Sequence, residues 1–159
     1  MRFVFVDRVI MLDPGRSIET IKNVAATEDV FDDHFPGYPI LPGALIVETF
    51  EQATQLLIAA SHGYTHVGRL RAVRRVAFRR FVRPGDQLRV RCARTGAEGA
   101  TWTVNASAEV DAQRVASATL QFTLVPASGD DAHHAARLRE TLRVLTEAPI
   151  EAPGDGRPA

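Results

Sequence analysis

The chain has 159 residues, enough for one domain with a hydrophobic core. Its 19 basic and 19 acidic residues cancel, which argues against binding to nucleic acid or membrane through net charge. Cys92 is the only cysteine, so one chain forms neither a disulfide nor a thiolate-rich metal site. The sequence shows no signal peptide and no apolar run of membrane-spanning length, and we expect a cytoplasmic protein.

The first half of the chain predicts one strand and one long helix. Residues 3–6 are apolar and aromatic, which fits a short strand or a docking segment. Residues 17–26 follow a turn signal at 13–15 and alternate between two faces, as a strand does. Residues 44–60 contain no glycine or proline and are apolar on most faces, which predicts a buried helix of about four to five turns. Residues 61–68 predict a loop, because they are rich in Gly, His and Tyr.

The second half of the chain is rich in strand patterns. The predicted strands are 70–82 (one or two strands), 87–95, 101–110 and 115–125, with a hairpin turn at 96–99. Together with the long helix they predict an α+β fold, in which a curved antiparallel sheet of about five to six strands wraps one helix. Such a sheet leaves an edge strand, and pairing edges across a dimer is one way to cover it.

The end of the chain changes character after Pro126. We expect a packed domain over residues 1–126 and a helical extension over 127–147, where leucines at 138, 142 and 145 form an apolar stripe. Residues 148–159 hold three prolines and two glycines, and we expect them to be disordered.

Two side chains suggest acid–base chemistry. His34 lies in a Pro- and Gly-rich loop, and Glu48 lies on the long apolar helix. Histidine is the usual general base near neutral pH, and burial of a glutamic acid keeps a proton available to donate. One base and one acid facing the same cavity suit an elimination, in which a C–H proton leaves and a hydroxyl departs as water. The alternative is a surface His34, with Glu48 satisfied by Gln52 or an arginine.

Three neighbouring residues extend this candidate site. Gly43 precedes the helix, where free amides bind an anion or a polarised carbonyl oxygen, although a plain helix start is the simpler interpretation. Gln52 lies one turn after Glu48 and could hold its carboxyl group. Glu51 either raises the pKa of a neighbouring carboxyl group or points towards another chain or an arginine, and we favour the second interpretation.

The basic residues are almost all arginines and cluster between Arg69 and Arg94. They form either a basic docking face or the solvated faces of strands. His62 and His66 have a metal-like spacing, but no cysteine or acid lies at a matching position, and we expect no metal site.

The segment from His34 to Glu48, which reads HFPGYPILPGALIVE and is followed by Gln52-Ala53, resembles the signature of the (3R)-hydroxyacyl acyl-carrier-protein dehydratases of the hotdog fold. The glutamate at position 48 resembles the FabZ branch, since the FabA branch carries Asp there. Residues 6–9, 21–24 and 76–88 extend the resemblance, which covers roughly residues 5 to 125.

The resemblance implies a role for each matching residue. His34 would remove the C2 proton of a 3-hydroxyacyl thioester, and Glu48 would protonate the leaving 3-hydroxyl to give a trans-2-enoyl product. The Gly43 amide would polarise the thioester carbonyl, and Gln52 would hold Glu48. The long helix would be the one that the hotdog sheet wraps, and His34 of one subunit would face Glu48 of the other.

The resemblance also implies partners. The protein would form a homodimer or a trimer of dimers. Its substrate would arrive on the phosphopantetheine arm of an acidic acyl carrier protein, with no metal or organic cofactor. Within the arginine cluster, the candidate docking residues are Arg74, Arg75, Arg79 and Arg80.

Departures from the family pattern leave alternatives open. Phe50 and Glu51 stand where the resemblance leads us to expect Met-like and small residues, and the tail after Pro126 is longer than the family minimum. These differences suggest a specialised relative, for example one serving polyketide or polyene biosynthesis. A second hypothesis is a non-catalytic or half-catalytic subunit of a heterodimeric dehydratase. A third is a hotdog acyl thioesterase, although the loop before the helix does not have that pattern.

Overall fold

The computed structural model describes residues 4–34 and 36–146. Within these ranges the chain forms six strands and three helices. The strands are β1 (Arg8–Asp13), β2 (Ser17–Asn23), β3 (His66–Phe78), β4 (Gln87–Glu98), β5 (Thr101–Val110) and β6 (Gln113–Pro126). The helices are α1 (Val30–Asp33), α2 (Gly43–Ser61) and α3 (Asp130–Thr146). No helix in the described part of the chain is both long enough and apolar enough to cross a bilayer.

The six strands form one antiparallel sheet in the order β1-β2-β4-β5-β6-β3. Strand β1 lies at one edge of the sheet and β3 at the other. Because β3 is placed at the edge, β2 pairs with β4, and the remaining strands are neighbours in the order of the chain. The predicted turn at 13–15 is present, and the chain also turns before β4. Gly15 and Gly85 adopt positive φ in these two turns (79° and 95°), a conformation that favours glycine.

The predicted long helix is confirmed as α2, and it forms the centre of the core. Phe50, Leu57 and Ile58 on α2 have no measurable exposure, and they pack in one cluster with Leu88 and Phe122 from the sheet. The predicted α+β arrangement, one helix wrapped by an antiparallel sheet, is therefore the observed one. Burial of large side chains on both layers is the main source of stability.

The strands predicted as 17–26 and 70–82 end earlier than expected, at Asn23 and Phe78. Two further boundaries are wrong for reasons that depend on packing. Residues 66–68 are not loop but the start of β3, because the Gln55 side chain bonds both the N–H and the carbonyl of Gly68. A Cβ on Gly68 would lie 2.6 Å from Ile58 Cδ1, so any larger residue would force the fully buried Ile58 side chain to shift. The turn predicted at 96–99 begins later, since β4 continues to Glu98 with a register shift between Arg94 and Gly96.

The described start of the chain is not a strand. Residues 4–7 are irregular, although Phe5 and Val6 are buried, which agrees with the docking alternative. The residue pattern predicted neither strand β1 nor the short helix α1, although residues 6–9 resemble part of the family's opening strands and overlap the start of β1.

Helix α3 packs against α2, β1 and β3. It buries Ala135, Leu138 and Leu142, while Leu145 is only partly buried against the core. The tail predicted to be disordered, 148–159, lies outside the described residues.

Candidate active site

His34 is positioned by the short helix before it. Its backbone N–H donates to the Val30 carbonyl at 3.0 Å, and its extended backbone (φ −99°, ψ 106°) ends α1. The side chain is half-buried. The His34 side chain is therefore attached to a backbone position that α1 holds in place.

The loop between His34 and α2 is held to the segment after β3. The Leu41 N–H donates to the Val82 carbonyl at 2.8 Å, and both side chains are buried. Arg83 Nη2 donates to the Tyr38 hydroxyl at 2.8 Å, and the Arg83 guanidinium lies over the Tyr38 ring. These contacts fix the direction in which the chain enters α2.

Glu48 lies on α2, one and a half turns from its start, and is half-buried. Gln52 Nε2 donates to Glu48 Oε1 at 2.8 Å, and Gln52 Oε1 accepts from the Phe5 N–H at 2.8 Å. The glutamine is thus held at both ends of its amide, and through it the irregular start of the chain orients the Glu48 carboxyl group.

His34 and Glu48 line the same cavity within one chain. Its volume is about 1330 Å³. The wall also includes apolar side chains, among them Val4, Phe5 and Leu45. A cavity with apolar walls and two groups suited to proton transfer is the usual form of a site for an acyl substrate.

Gly43 is the first residue of α2, and its neighbours Ala44 and Leu45 line the cavity while Gly43 itself does not. Its amide is among those that have no acceptor inside the helix. A Cβ at Gly43 would lie 2.6 Å from Cζ of Phe78, so an aromatic ring from the end of β3 covers this turn.

Sequence reasoning missed a buried ion pair on the cavity wall. Lys22 Nζ lies 2.7 Å from Glu28 Oε1 and also donates to the Asn23 carbonyl at 2.8 Å. The Lys22 side chain is only 8% exposed. Glu28 Oε1 accepts from the Ala25 N–H as well, so the pair closes the segment that leads to α1 and His34. The signal in the sequence was that Lys22 is the only lysine.

Glu51 lies behind Glu48, in a second cavity of about 270 Å³ between α2 and α3. Burial raises the pKa of the Glu51 carboxyl group, and the nearby Glu48 raises it further, against the lowering effect of a hydrogen bond from Gln55 Nε2 at 2.8 Å. Of the two interpretations of Glu51, the one that we did not favour is therefore supported, since the adjacent Glu48 raises the pKa of Glu51. Arg137 of α3 lines the same cavity, but in the described residues the side-chain partner of Glu51 is Gln55.

The arginines at positions 74, 75, 79 and 80 are all exposed. Arg74 and Arg75 lie on the edge strand β3, where a bulge gives Arg75 a positive φ of 52°. Arg79 and Arg80 follow directly. In residues 4–34 and 36–146, no group of three or more His, Cys, Asp or Glu side chains is placed to hold a metal ion.

A sequence model of the FabA-like domain matches residues 1–119. The chain belongs to the FabA-like family. Among curated relatives, it is 40% identical to the 3-hydroxyacyl-(acyl-carrier-protein) dehydratase FabZ of Acidiphilium cryptum over 120 residues, which are 74% of this chain and 73% of the relative. It is 37% identical to FabZ of Myxococcus xanthus over 137 residues, 84% of this chain and 90% of the relative. The resemblance predicted from the segment between His34 and Glu48 is thereby confirmed.

Solved structures give the fold independently of sequence. A hot-dog-like protein from Thermanaerovibrio acidaminovorans matches with a TM-score of 0.63 and 16% identity, over 80% of this chain and 93% of the other. The dehydratase heterocomplex ApeI:P from Xenorhabdus doucetiae matches with a TM-score of 0.58 and 18% identity, over 72% of this chain and 96% of the other. These likenesses confirm the hotdog fold for this FabA-like chain.

Proposed function

We propose that the chain dehydrates (3R)-hydroxyacyl groups carried on an acyl carrier protein to trans-2-enoyl groups, as a hydro-lyase of fatty-acid biosynthesis in the cytoplasm. The observation that carries the proposal is the cavity shared by His34 and Glu48 in a chain 37–40% identical to FabZ dehydratases. A polyketide setting remains a prediction.

The reaction needs one proton acceptor and one proton donor. The neutral His34 imidazole takes a proton from C2 of the substrate, and the electrons of that C–H bond form the new double bond. The C3–O bond breaks as the protonated Glu48 carboxyl group gives its proton to the leaving hydroxyl, which departs as water. Gln52 keeps the Glu48 carboxyl group in one orientation while it transfers the proton.

The first turn of α2 supplies the remaining polarisation. An amide at a helix N-terminus carries partial positive charge, and Gly43 offers such an amide without a side chain. Hydrogen bonding to the thioester carbonyl stabilises the negative charge that develops when the C2 proton leaves. The proposed reaction transfers two protons and breaks the C3–O bond with no net gain or loss of electrons, so the proposal includes no metal or organic cofactor.

The direct test measures by mass spectrometry whether a 3-hydroxyacyl carrier protein loses water. His34→Ala and Glu48→Gln are each expected to lower kcat by about 10²- to 10⁴-fold, the usual contribution of a general acid or base. The matched controls are His133→Ala and Glu98→Gln, which change exposed side chains elsewhere. Retained activity in both site variants would contradict the proposal, and release of free thiol would indicate a thioesterase instead.

A second experiment decides whether the two groups act within one chain or across a dimer. His34→Ala and Glu48→Gln chains are unfolded together, mixed and refolded. If His34 of one subunit pairs with Glu48 of the other, random pairing in a two-fold dimer restores about a quarter of the sites. If the pair acts within one chain, every site in the mixture keeps one defect and no activity returns. The same assay applied to the purified wild type shows whether it needs a related partner subunit.

For the carrier protein we propose docking on Arg74, Arg75, Arg79 and Arg80, because all four are exposed and Arg79 and Arg80 directly follow Phe78, whose ring lies against the start of α2. Arg79→Glu with Arg80→Glu is expected to raise KM for the carrier-linked substrate, most strongly at low salt. KM for the same acyl group on a short pantetheine fragment should not change. Arg16→Glu, in the turn at the opposite edge of the sheet, is the control.

A further inference from the structure

The cavity between α2 and α3 brings a second set of ionisable groups to the proposed acid. Glu48 lines this cavity as well as the larger one that contains His34. Glu51 lies beside it on α2, and His134 and Arg137 reach the same space from α3. The proposed dehydration uses the Glu48 carboxyl group from the substrate side only. The groups on the α3 side have no role in it.

The two carboxyl groups have matching supports. Glu48 accepts from Gln52 and Glu51 accepts from Gln55, each at 2.8 Å and each from one turn further along α2. Glu48 and Glu51 are three positions apart, so they project from neighbouring points of one helix face. Gln55 is itself fixed by Gly68, whose N–H donates to it at 3.1 Å. Both carboxyl groups are thus held in fixed orientations, as efficient proton transfer requires.

The surroundings of Glu51 favour its protonated form. Burial and the neighbouring Glu48 both raise the pKa of Glu51, so it retains a proton at higher pH than an exposed glutamate does. On the α3 side of the cavity, Arg137 Nη2 lies 3.5 Å from His134 Nδ1. His134 is half-buried and Arg137 is exposed, so this end of the cavity reaches solvent. On the substrate side, the ionisable groups that line the cavity with Glu48 are Asp7, Lys22, Glu28, Asp29 and His34.

We propose that Glu51 returns a proton to Glu48 between turnovers, a role that rests on the proposed dehydratase function. After the C3–O bond breaks, Glu48 is a carboxylate. The Glu51 carboxyl group gives its proton to Glu48 through water in the cavity, and the resulting Glu51 carboxylate takes a proton from solvent past His134 and Arg137. His34, which gained the C2 proton, releases it to solvent from the other cavity. The enzyme then holds the same protons as at the start. Glu51 thus acts through Glu48 and does not contact the substrate.

A direct route competes with this one. Because His34 and Glu48 line one cavity, the imidazolium could hand its proton back to Glu48 once the product has left. In that case Glu51 would contribute nothing to turnover. The two routes differ in what supplies the proton, so they respond differently to pH and to added buffer acids.

The experiment compares single-turnover and steady-state rates of Glu51→Gln between about pH 6 and about pH 9 in dilute buffer. The first turnover should match wild type, because it does not use the proton that Glu51 returns to Glu48, and KM should not change. Steady-state kcat should fall relative to wild type as pH rises.

Chemical rescue and matched variants complete the test. Added imidazole buffer should restore kcat of Glu51→Gln in proportion to its acid form and leave wild type unchanged. Glu51→Asp should restore most of kcat without buffer. Glu51→Ala, which removes the carboxyl group without adding an amide, should repeat the defect if the glutamine variant folds poorly. Glu98→Gln is the control for loss of one surface charge.

The outcomes separate the two proposals. If wild type dehydrates its substrate but the Glu51 variants match it in kcat at every pH, with no buffer effect, the direct route holds and the relay is wrong. If wild type shows no dehydration, the proposed function fails and the relay fails with it. A lower kcat that appears equally in the first turnover would also overturn the relay, because it would show a defect in the chemical step.

Discussion

Gly43 has two reasons to lack a side chain. It opens α2, where its amide can approach a ligand closely, and its Cα lies beneath the Phe78 ring, with three ring carbons within 2.9 Å of where a Cβ would be. The sequence alone suggested the first reason only. The ring is 52% exposed, so it has room to move when the site is crowded.

Gly43→Ala is therefore expected to lower the free energy of unfolding by about 1 kcal/mol, the low end for overpacking, because Phe78 can rotate outwards. The dehydration activity should also fall, because the displaced ring and helix start would move the proposed carbonyl donor. Urea denaturation and the dehydration assay measure the two effects. Adding Phe78→Leu should restore most of the stability, and a double variant whose losses simply add would show that the two residues do not conflict.

The Glu51 carboxyl group makes stability depend on pH. Its pKa is raised from an ordinary value of 4.5, so the folded state binds this proton more tightly than the unfolded state. The free energy of unfolding of wild type therefore falls as pH rises from about 4.5 through the raised pKa, and stays lower above it.

Glu51→Gln removes that titration. The free energy of unfolding of the variant relative to wild type should therefore be higher at about pH 7 than at about pH 4, because the amide has no charged form that burial in the cavity would disfavour. Urea denaturation at both pH values gives the difference, with Glu98→Gln as the control. A gap between variant and wild type that is the same at both pH values would show that desolvation of Glu51 does not act on folding.

At the scale of elements, the segment from the end of β2 to α1 carries His34 to the cavity. It has little regular structure, and two sets of contacts hold it. The Val24 N–H donates to the Asp86 carbonyl at 3.0 Å and the Gly85 N–H donates to the Val24 carbonyl at 2.9 Å, which fasten it to the turn before β4. The Lys22–Glu28 ion pair closes the rest. The segment therefore depends on both sets of contacts for its shape, and the ion pair is the part that one substitution can remove.

Lys22→Met should destabilise the protein by about 2–3 kcal/mol, because it leaves the mostly buried Glu28 carboxylate without its cation and with only the Ala25 N–H as a donor. The value lies below that for a fully buried pair because the Glu28 side chain is 21% exposed. kcat should fall more than KM changes, since His34 loses its fixed position. Lys22→Met combined with Glu28→Gln should be more stable than Lys22→Met alone. If the double variant is the least stable of the set, the pair does not act as one unit.

At the scale of the whole molecule, the 13-residue edge strand β3 is the feature that one chain leaves incomplete. It pairs with β6 on one side only. Exposed apolar side chains lie along it and just after it, namely Leu70, Val73, Val76, Phe78 and Phe81. A long edge with exposed apolar side chains usually pairs with another chain. We therefore expect two copies to associate through β3.

Val73→Glu with Val76→Glu should convert the protein from a dimer to a monomer, because it places like charges on the edge of both copies. Sedimentation velocity measures the change, and activity should fall with dimer content if the proposed site spans two chains. Val144→Glu is the control for a new exposed glutamate, since Val144 is 53% exposed and lies on α3 instead of on the edge strand. A double variant that stays dimeric would exclude β3 as the interface.

The sequence by itself determined the elements whose signals are local. Strand β5 was predicted residue for residue as 101–110, and α2 to within one residue at each end, because alternation and an uninterrupted apolar run depend only on neighbouring positions. The family followed from one continuous segment between His34 and Glu48. Short elements such as α1 were not predicted, because four residues are too few to show a helical periodicity.

Only the tertiary structure decided what distant residues do to one another. The bond from Phe5 to Gln52 spans 47 positions, and that from Gly68 to Gln55 makes a glycine part of a strand. The cavity behind Glu48 exists because α3 returns over α2. Burial and the Coulomb interactions between charged groups depend on which surfaces meet in space. Local sequence periodicity does not predict contacts between distant residues, so the environment of Glu51 and the Lys22–Glu28 pair could be identified only from the tertiary structure.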